Sequence, residues 1–197
     1  IPRPETEILM ETLFSLNDKT STDQSKRLLD IGTGSGVIAV VAAREIANCQ
    51  VTATDHSSAA LAVARTNAEM HGVSKKINFF QCDMFTELPK TLYDFIVSNP
   101  PYIETARLNN LMPDVRDFEP RCALDGGADG LDFYKRIVPG ASAYLKEGGG
   151  LVLEIGETQA KAVSRLLCVE DQYEKIKVTQ DGGGYDRVVY ARKRTNG

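Results

Sequence analysis

One stretch constrains the fold of this chain more than any other. Leu28-Leu29-Asp30-Ile31 runs into Gly32-Thr33-Gly34-Ser35-Gly36 and then into the apolar run Val37 to Ala43. A short apolar run, a glycine-rich turn and a helical apolar segment read as strand, turn and helix. A strand that feeds a helix returns to its sheet by a crossover, which commits the chain to a mostly parallel sheet with helices packed on it. The rest of the sequence keeps this alternation. Strands are expected at 27–31, 50–54, 77–81, 93–98 and 151–155, and the first helix should run from the glycine turn to about residue 46. Ser57 or Ser58 would cap the next helix, which carries Leu61, Ala64 and Ala68 on one face and stops at Gly72.

Beyond residue 98 the signals change. Asn99-Pro100-Pro101-Tyr102 ends the fourth strand, because two prolines cannot donate to a ladder. Residues 103–128 show no periodicity, and a stretch that long reads as a functional loop or lid. Tyr134, Ile137, Val138, Ala141 and Leu145 form a helical stripe in which Pro139 should kink or break the helix, with Gly148-Gly149-Gly150 ending the element. A helix follows at 158–169. Residues 173–180 and 187–192, joined by a Gly-rich turn at 181–184, read as an antiparallel hairpin at one sheet edge.

Composition narrows the function. The 197 residues are 42% hydrophobic and 25% charged, ordinary for one globular domain. Twenty-three basic against 27 acidic residues give a net charge of −4, so no global positive field favours phosphate backbones, and direct nucleic-acid binding is not expected. Arg192-Lys193-Arg194 reads as a solvated end. The four cysteines are scattered, and with two histidines beside them no metal site is expected; a reduced, cytoplasmic setting fits. The longest apolar run is too short to span a bilayer. Opening at Ile1 rather than Met reads as a trimmed chain or a missing upstream domain.

The glycine turn can do chemistry as well as turn. Small residues let a ligand approach the backbone, and the following helix offers free N–H groups at its positive end, which suits a carboxylate or phosphate. The spacing is G-x-G-x-G, and Val37 stands where a dinucleotide fingerprint needs its third glycine, which disfavours an oxidoreductase. Nineteen residues after Gly36, Asp55 closes the second strand, where a carboxylate can accept both hydroxyls of a ribose. Asp83 and Met84 follow the third strand, and the Met84 thioether could pack on an adenine face or simply fill core.

The Asn-Pro-Pro-Tyr turn supplies the complementary half. Its prolines leave fixed, free carbonyls, and Asn99 adds a side-chain carbonyl. Two aimed acceptors suit a planar NH₂ group, and Tyr102 offers a flat face to stack on. Such a nitrogen has a delocalised lone pair. Acceptors that favour its pyramidal form stabilise the transition state more than the ground state, so no strong base is required, and no His neighbours this turn in the sequence.

In this order the two turns resemble those of the class I S-adenosylmethionine-dependent methyltransferases, which implies an α/β Rossmann-like fold. That fold is a seven-stranded, mostly parallel sheet with an antiparallel C-terminal hairpin strand and helices on both faces. Three further segments resemble the HemK/PrmC family of release-factor glutamine methyltransferases: Ile1-Pro2-Arg3-Pro4-Glu5-Thr6-Glu7, the run from Asp114 to Gly127 with its continuation to Tyr134, and Leu153-Glu154-Ile155-Gly156 with Tyr185-Asp186-Arg187-Val188-Val189.

The resemblance implies methyl transfer from S-adenosyl-L-methionine, leaving S-adenosyl-L-homocysteine. The acceptor would be the side-chain amide of the glutamine in the Gly-Gly-Gln motif of peptide-chain release factors. It implies that Asn99, Pro100, Pro101 and Tyr102 hold and activate the substrate amide. Gly32, Thr33, Gly34, Ser35, Gly36, Asp55, Asp83, Met84 and Asn99 would contact the cofactor, with Met84 standing where the family commonly has an aromatic residue. It further implies one methyltransferase domain over residues 1–197. Residues 1–24 would be a lead-in helix and linker, and the family's helical N-terminal docking domain would be absent. A monomer with a release factor as partner and no membrane association is expected. The same planar-nitrogen geometry would also serve an adenine or guanine amino group in nucleic acid, or a ribosomal-protein glutamine. Arg3 reads as a surface charge or a functional one, Glu119-Pro120 as a shaper of the lid. Glu154 could face the cofactor or pair with a lid cation.

Overall fold

The computed structural model describes residues 4–17 and 25–195. Seven strands form one sheet: β1 Lys26–Ile31, β2 Cys49–Asp55, β3 Ile77–Gln81, β4 Tyr93–Ser98, β5 Leu145–Glu154, β6 Tyr173–Gln180 and β7 Asp186–Lys193. Their spatial order is β3-β2-β1-β4-β5-β7-β6. Strands β1 to β5 pair in parallel, and β7 lies antiparallel between β5 and β6. The order reverses beside β1, which lies between β2 and β4; in such sheets ligands bind beyond the carboxyl ends at that point.

Alternation along each strand divides the core in two. Leu28, Val97 and Val152 pack on one face, under α1 (Pro4–Asn17), α2 (Val37–Glu45) and α3 (Ser58–Met70). Leu29, Ile96, Leu151 and Leu153 pack on the other, under α5 (Asp132–Ser142) and α6 (Ala160–Val169). Burial of these aliphatic side chains, at about 25 cal/mol per Å² of apolar surface, is the main force holding the layers together. Ser57 caps α3, its hydroxyl accepting the Ala60 N–H at 3.2 Å.

Three expectations need correction. Leu145 belongs to β5 rather than to the preceding helix, which ends at Ser142; its i+4 spacing from Ala141 carries the stripe across the boundary by coincidence. Gly148-Gly149-Gly150 terminate nothing: they lie inside β5. There the register against β4 jumps from Tyr93↔Leu145 to Phe95↔Gly150, and Gly148 takes a left-handed φ of 71°. Pro139 does not break α5. It sits on the exposed side of the helix, where the carbonyl it leaves without an N–H partner can meet water.

Residues 103–128 form the loop over the carboxyl edge, but they are not structureless. They hold two short 3₁₀ turns (Thr105–Asn110 and Arg121–Ala123) and α4 (Pro113–Phe118). None was legible as periodicity, because each is a turn or two long. Ile103 binds the far end of this loop, donating its N–H to Leu124 and accepting that of Gly126.

Candidate active site

Ile31 and Ser98 are direct partners in the parallel ladder, and the Ser98 hydroxyl donates to the Ile31 carbonyl at 2.7 Å. The glycine turn and the Asn-Pro-Pro-Tyr turn therefore begin side by side, on the next residue of each strand. Between them and the loop lies a cavity of about 530 Å³, within the size range of small-molecule sites. Gly32, Thr33, Gly34, Ser35, Asp55, Asp83, Met84, Asn99, Pro100, Pro101 and Tyr102 all line it.

Gly36 does not. Its φ is 84°, and a Cβ there would lie 2.9 Å from Ala64 Cβ, so this glycine serves the close approach of the turn to α3. Gly32 (φ 69°) and Gly34 (φ 56°) differ: a Cβ on either would meet nothing within 4 Å. They face open space, as a cradle for a ligand must.

The turn is tied down from three directions. Thr33 donates its N–H to the Thr54 carbonyl at 2.8 Å and its hydroxyl to Asp30 Oδ2 at 2.6 Å. Asn67 donates to the Ser35 carbonyl at 2.8 Å. Asp30 is fully buried, and burial pushes its carboxyl from 3.8 up to about 7, opposed by the Thr33 hydrogen bond. Asp55, at the end of β2, accepts the Gly34 N–H through Oδ2 and the Ser57 N–H through Oδ1, each at 2.9 Å. Each carboxylate oxygen keeps a lone pair for a ligand hydroxyl.

His56 joins the cavity at that end, its Nδ1 3.5 Å from Asp55 Oδ1. The sequence shows no His beside the tetrad; folding brings one into the same cavity, at the Asp55 end.

Asp83 lines the cavity while pairing with Arg136 at 2.5 Å across the surface. Met84 is buried in the core beneath α5 and also lines the cavity. Its left-handed φ of 56° is uncommon for a long side chain.

Asn99 donates its side-chain N–H to the Thr6 hydroxyl at 3.2 Å, and Thr6 in turn donates to Glu154 Oε2 at 3.0 Å. Glu154 is fully buried on the α1 face of β5. It does not line the cavity, and its Oε2 accepts from Thr6. Thr6, which lines the cavity, had no role in the sequence reading because its partners are remote in the chain.

At the far end of the tetrad, Gln159 donates to the carbonyls of Tyr102 and Gly130, both at 3.0 Å, and accepts the Gly156 N–H. Gly126 approaches Tyr102 so closely that a Cβ would lie 2.8 Å from its Cα. The Asp125 carboxyl, receiving the Thr105 hydroxyl and the Gly127 N–H, is held below the ordinary carboxylate range. Glu119, Pro120, Cys122 and Leu124 of the loop close the cavity from above. Arg3 lies outside the described residues.

Among the described residues, no cluster of His, Cys, Asp and Glu could hold a metal ion, and no helix is long and apolar enough to cross a membrane.

Strand order, with the glycine turn and the Asn-Pro-Pro-Tyr turn over one cavity, defines the chain as a class I methyltransferase, the group that also contains its structural neighbours. The family model for the methyltransferase small domain matches residues 4–113. The chain belongs to that family and, within it, to the release factor glutamine methyltransferases. It is 43% identical over 192 residues to the protein of that name from Geobacter sulfurreducens, covering 98% of this chain and 65% of the relative. It is also 43% identical over 194 residues to that of Moorella thermoacetica, covering 98% of this chain and 67% of the relative. The chain thus spans about two thirds of the length of the curated relatives it matches. Among solved structures, human methyltransferase 10 domain containing protein superposes with a TM-score of 0.70 at 20% identity, covering 99% of this chain and 85% of that one, which shows the shared fold. Family and fold imply S-adenosylmethionine as the methyl donor. The open faces of Gly32 and Gly34 and the spare lone pairs of Asp55 fit such a nucleoside.

Proposed function

We propose that this protein methylates the side-chain amide nitrogen of the glutamine in the Gly-Gly-Gln motif of peptide-chain release factors, using S-adenosyl-L-methionine. The observation that carries the reading is the pairing of Ile31 with Ser98, which sets the glycine turn and the Asn-Pro-Pro-Tyr turn side by side. The relatives named release factor glutamine methyltransferase supply the choice of amide and partner.

In this reading Gly32, Thr33, Gly34 and Ser35 hold the methionine part of the cofactor with backbone groups, and Asp55 accepts the ribose hydroxyls. Met84 packs on the adenine, with Asp83 at its edge. When bound, the cofactor supplies a methyl carbon made electrophilic by its sulfonium. The carbonyls of Asn99 and Pro100 accept the two amide hydrogens of the substrate glutamine, and Tyr102 stacks against its plane. Held so, the nitrogen lone pair turns out of conjugation and toward the methyl carbon. On methyl transfer the nitrogen would give one proton to solvent, and the cofactor, keeping the S–C electron pair, would leave as S-adenosyl-L-homocysteine. The reading makes the protein cytoplasmic, with a release factor as its partner.

The test is incubation with methyl-labelled cofactor and a release factor, in parallel with the same factor carrying Gln→Ala in its Gly-Gly-Gln motif. Label should appear on the first alone. Equal label on the variant would overturn the assignment of the acceptor.

A further inference from the structure

Asn99 can serve as an acceptor only if its amide presents oxygen, not nitrogen, to the substrate. The two ends are nearly isosteric, so something must choose between them. The hydrogen bonds around Thr6 make that choice. Thr6 gives its single hydroxyl proton to Glu154 Oε2 at 3.0 Å. Thr6 Oγ1 then has only lone pairs left, and it accepts from Asn99 Nδ2 at 3.2 Å. With its nitrogen committed to Thr6, Asn99 turns Oδ1 the other way.

We propose that Thr6 and Glu154 are positioning residues that fix the amide orientation of Asn99 through this directional chain. The inference rests on the amide-acceptor role given to Asn99 above. The three residues come from α1, β5 and the end of β4, separated by 93 and 148 positions in pairs with Thr6. Thr6 is 7% exposed and Glu154 is fully buried, so bulk water does not compete for the bond between them. The Thr6–Glu154 hydrogen bond is buried, and leaving a buried hydroxyl unsatisfied is costly, which suits it to set the polarity of the chain. The α1 segment thereby acquires a part in the reaction beyond covering the sheet.

The test compares the chain with its Thr6→Val, Thr6→Ser and Glu154→Gln variants. Valine matches threonine in shape and cannot bridge; serine can. Thr6→Val should lower kcat by about 10- to 100-fold, the scale of a small misplacement at a reacting centre, with cofactor affinity by calorimetry unchanged. Thr6→Ser should restore kcat to within about threefold of the parent. Glu154→Gln, which can present either end of its amide to Thr6, should fall between. Equal kcat in Thr6→Val and the parent, or no recovery with serine, overturns the proposal.

A second readout is independent of the acceptor: the side-chain ¹⁵N–¹H resonances of Asn99. They should shift and exchange faster with water in Thr6→Val and remain in place in Thr6→Ser. Unchanged resonances in Thr6→Val overturn the proposal whether or not a release factor is methylated. A parent that fails to label the release factor while these resonances respond overturns the substrate reading alone.

Discussion

Asp55 Oδ2 accepts the backbone N–H of Gly34 at 2.9 Å, joining the end of the second strand to the middle of the glycine turn. The carboxylate thus shapes the cradle and remains able to accept ligand hydroxyls at its rim. Asp55→Ala should weaken cofactor binding by at least tenfold, since it removes a charged acceptor and a turn anchor together. Calorimetry with S-adenosyl-L-homocysteine measures this, and equal affinities would contradict both roles.

Asn99→Ala should separate binding from transfer. The cofactor cradle stays intact while methyl transfer falls by roughly 100-fold or more, as for loss of an orienting polar group. Single-turnover rates at saturating cofactor give the number. An unchanged rate removes Asn99 from the acceptor turn.

The glycines of the turn should divide into two classes. Gly36→Ala forces a Cβ to 2.9 Å from that of Ala64 and strains a φ of 84°, so it should cost about 1–3 kcal/mol of stability. Ala64→Gly in the same chain should recover part of that loss. Gly34→Ala meets no protein atom within 4 Å and carries only the strain of its φ of 56°, so it should cost less stability than Gly36→Ala and act more on cofactor affinity. Urea unfolding and calorimetry on the three variants separate the classes.

Asp30 gives the protein a pH-dependent stability. Burial raises its folded value from 3.8 to about 7, so between those limits the folded protein keeps a proton that the unfolded chain releases. Its contribution therefore declines as pH rises from about 4 to about 7 and is level above that range. Asp30→Asn keeps a carbonyl to accept the Thr33 hydroxyl and should remove the decline, leaving the variant more stable than the parent by roughly 1–3 kcal/mol at pH 8. Denaturant midpoints across pH 4 to 8 check the sign.

What the sequence disclosed was local. Gly32 to Gly36 and Asn99 to Tyr102 are contiguous and carry strong backbone constraints, so the turns, and the strands that present them, could be recognised in place. Asp55 was found because it ends a strand at a telling distance from the glycines. Gly36 was grouped with its neighbours because spacing does not say which way a glycine faces; only the position of Ala64 does. The chain from Glu154 through Thr6 to Asn99 was hidden for a related reason. Its members lie on three elements, and their meeting depends on how α1 packs over β5. Leu145 and Gly148 to Gly150 misled because the helical stripe runs on in sequence into a strand, and a bulge uses the same residue type as a terminus.

The side-by-side placement of β1 and β4 has an architectural result. The gap between the two turns is one interstrand step, about 4.8 Å, and does not depend on how the chain travels from one to the other. The connection from β3 to β4 can lengthen, shorten or change sequence without moving β1 away from β4, whereas α3 must keep Ala64 and Asn67 against the glycine turn. The offset between the two turns is set by the spacing of a hydrogen-bonded ladder, among the least adjustable lengths a polypeptide possesses.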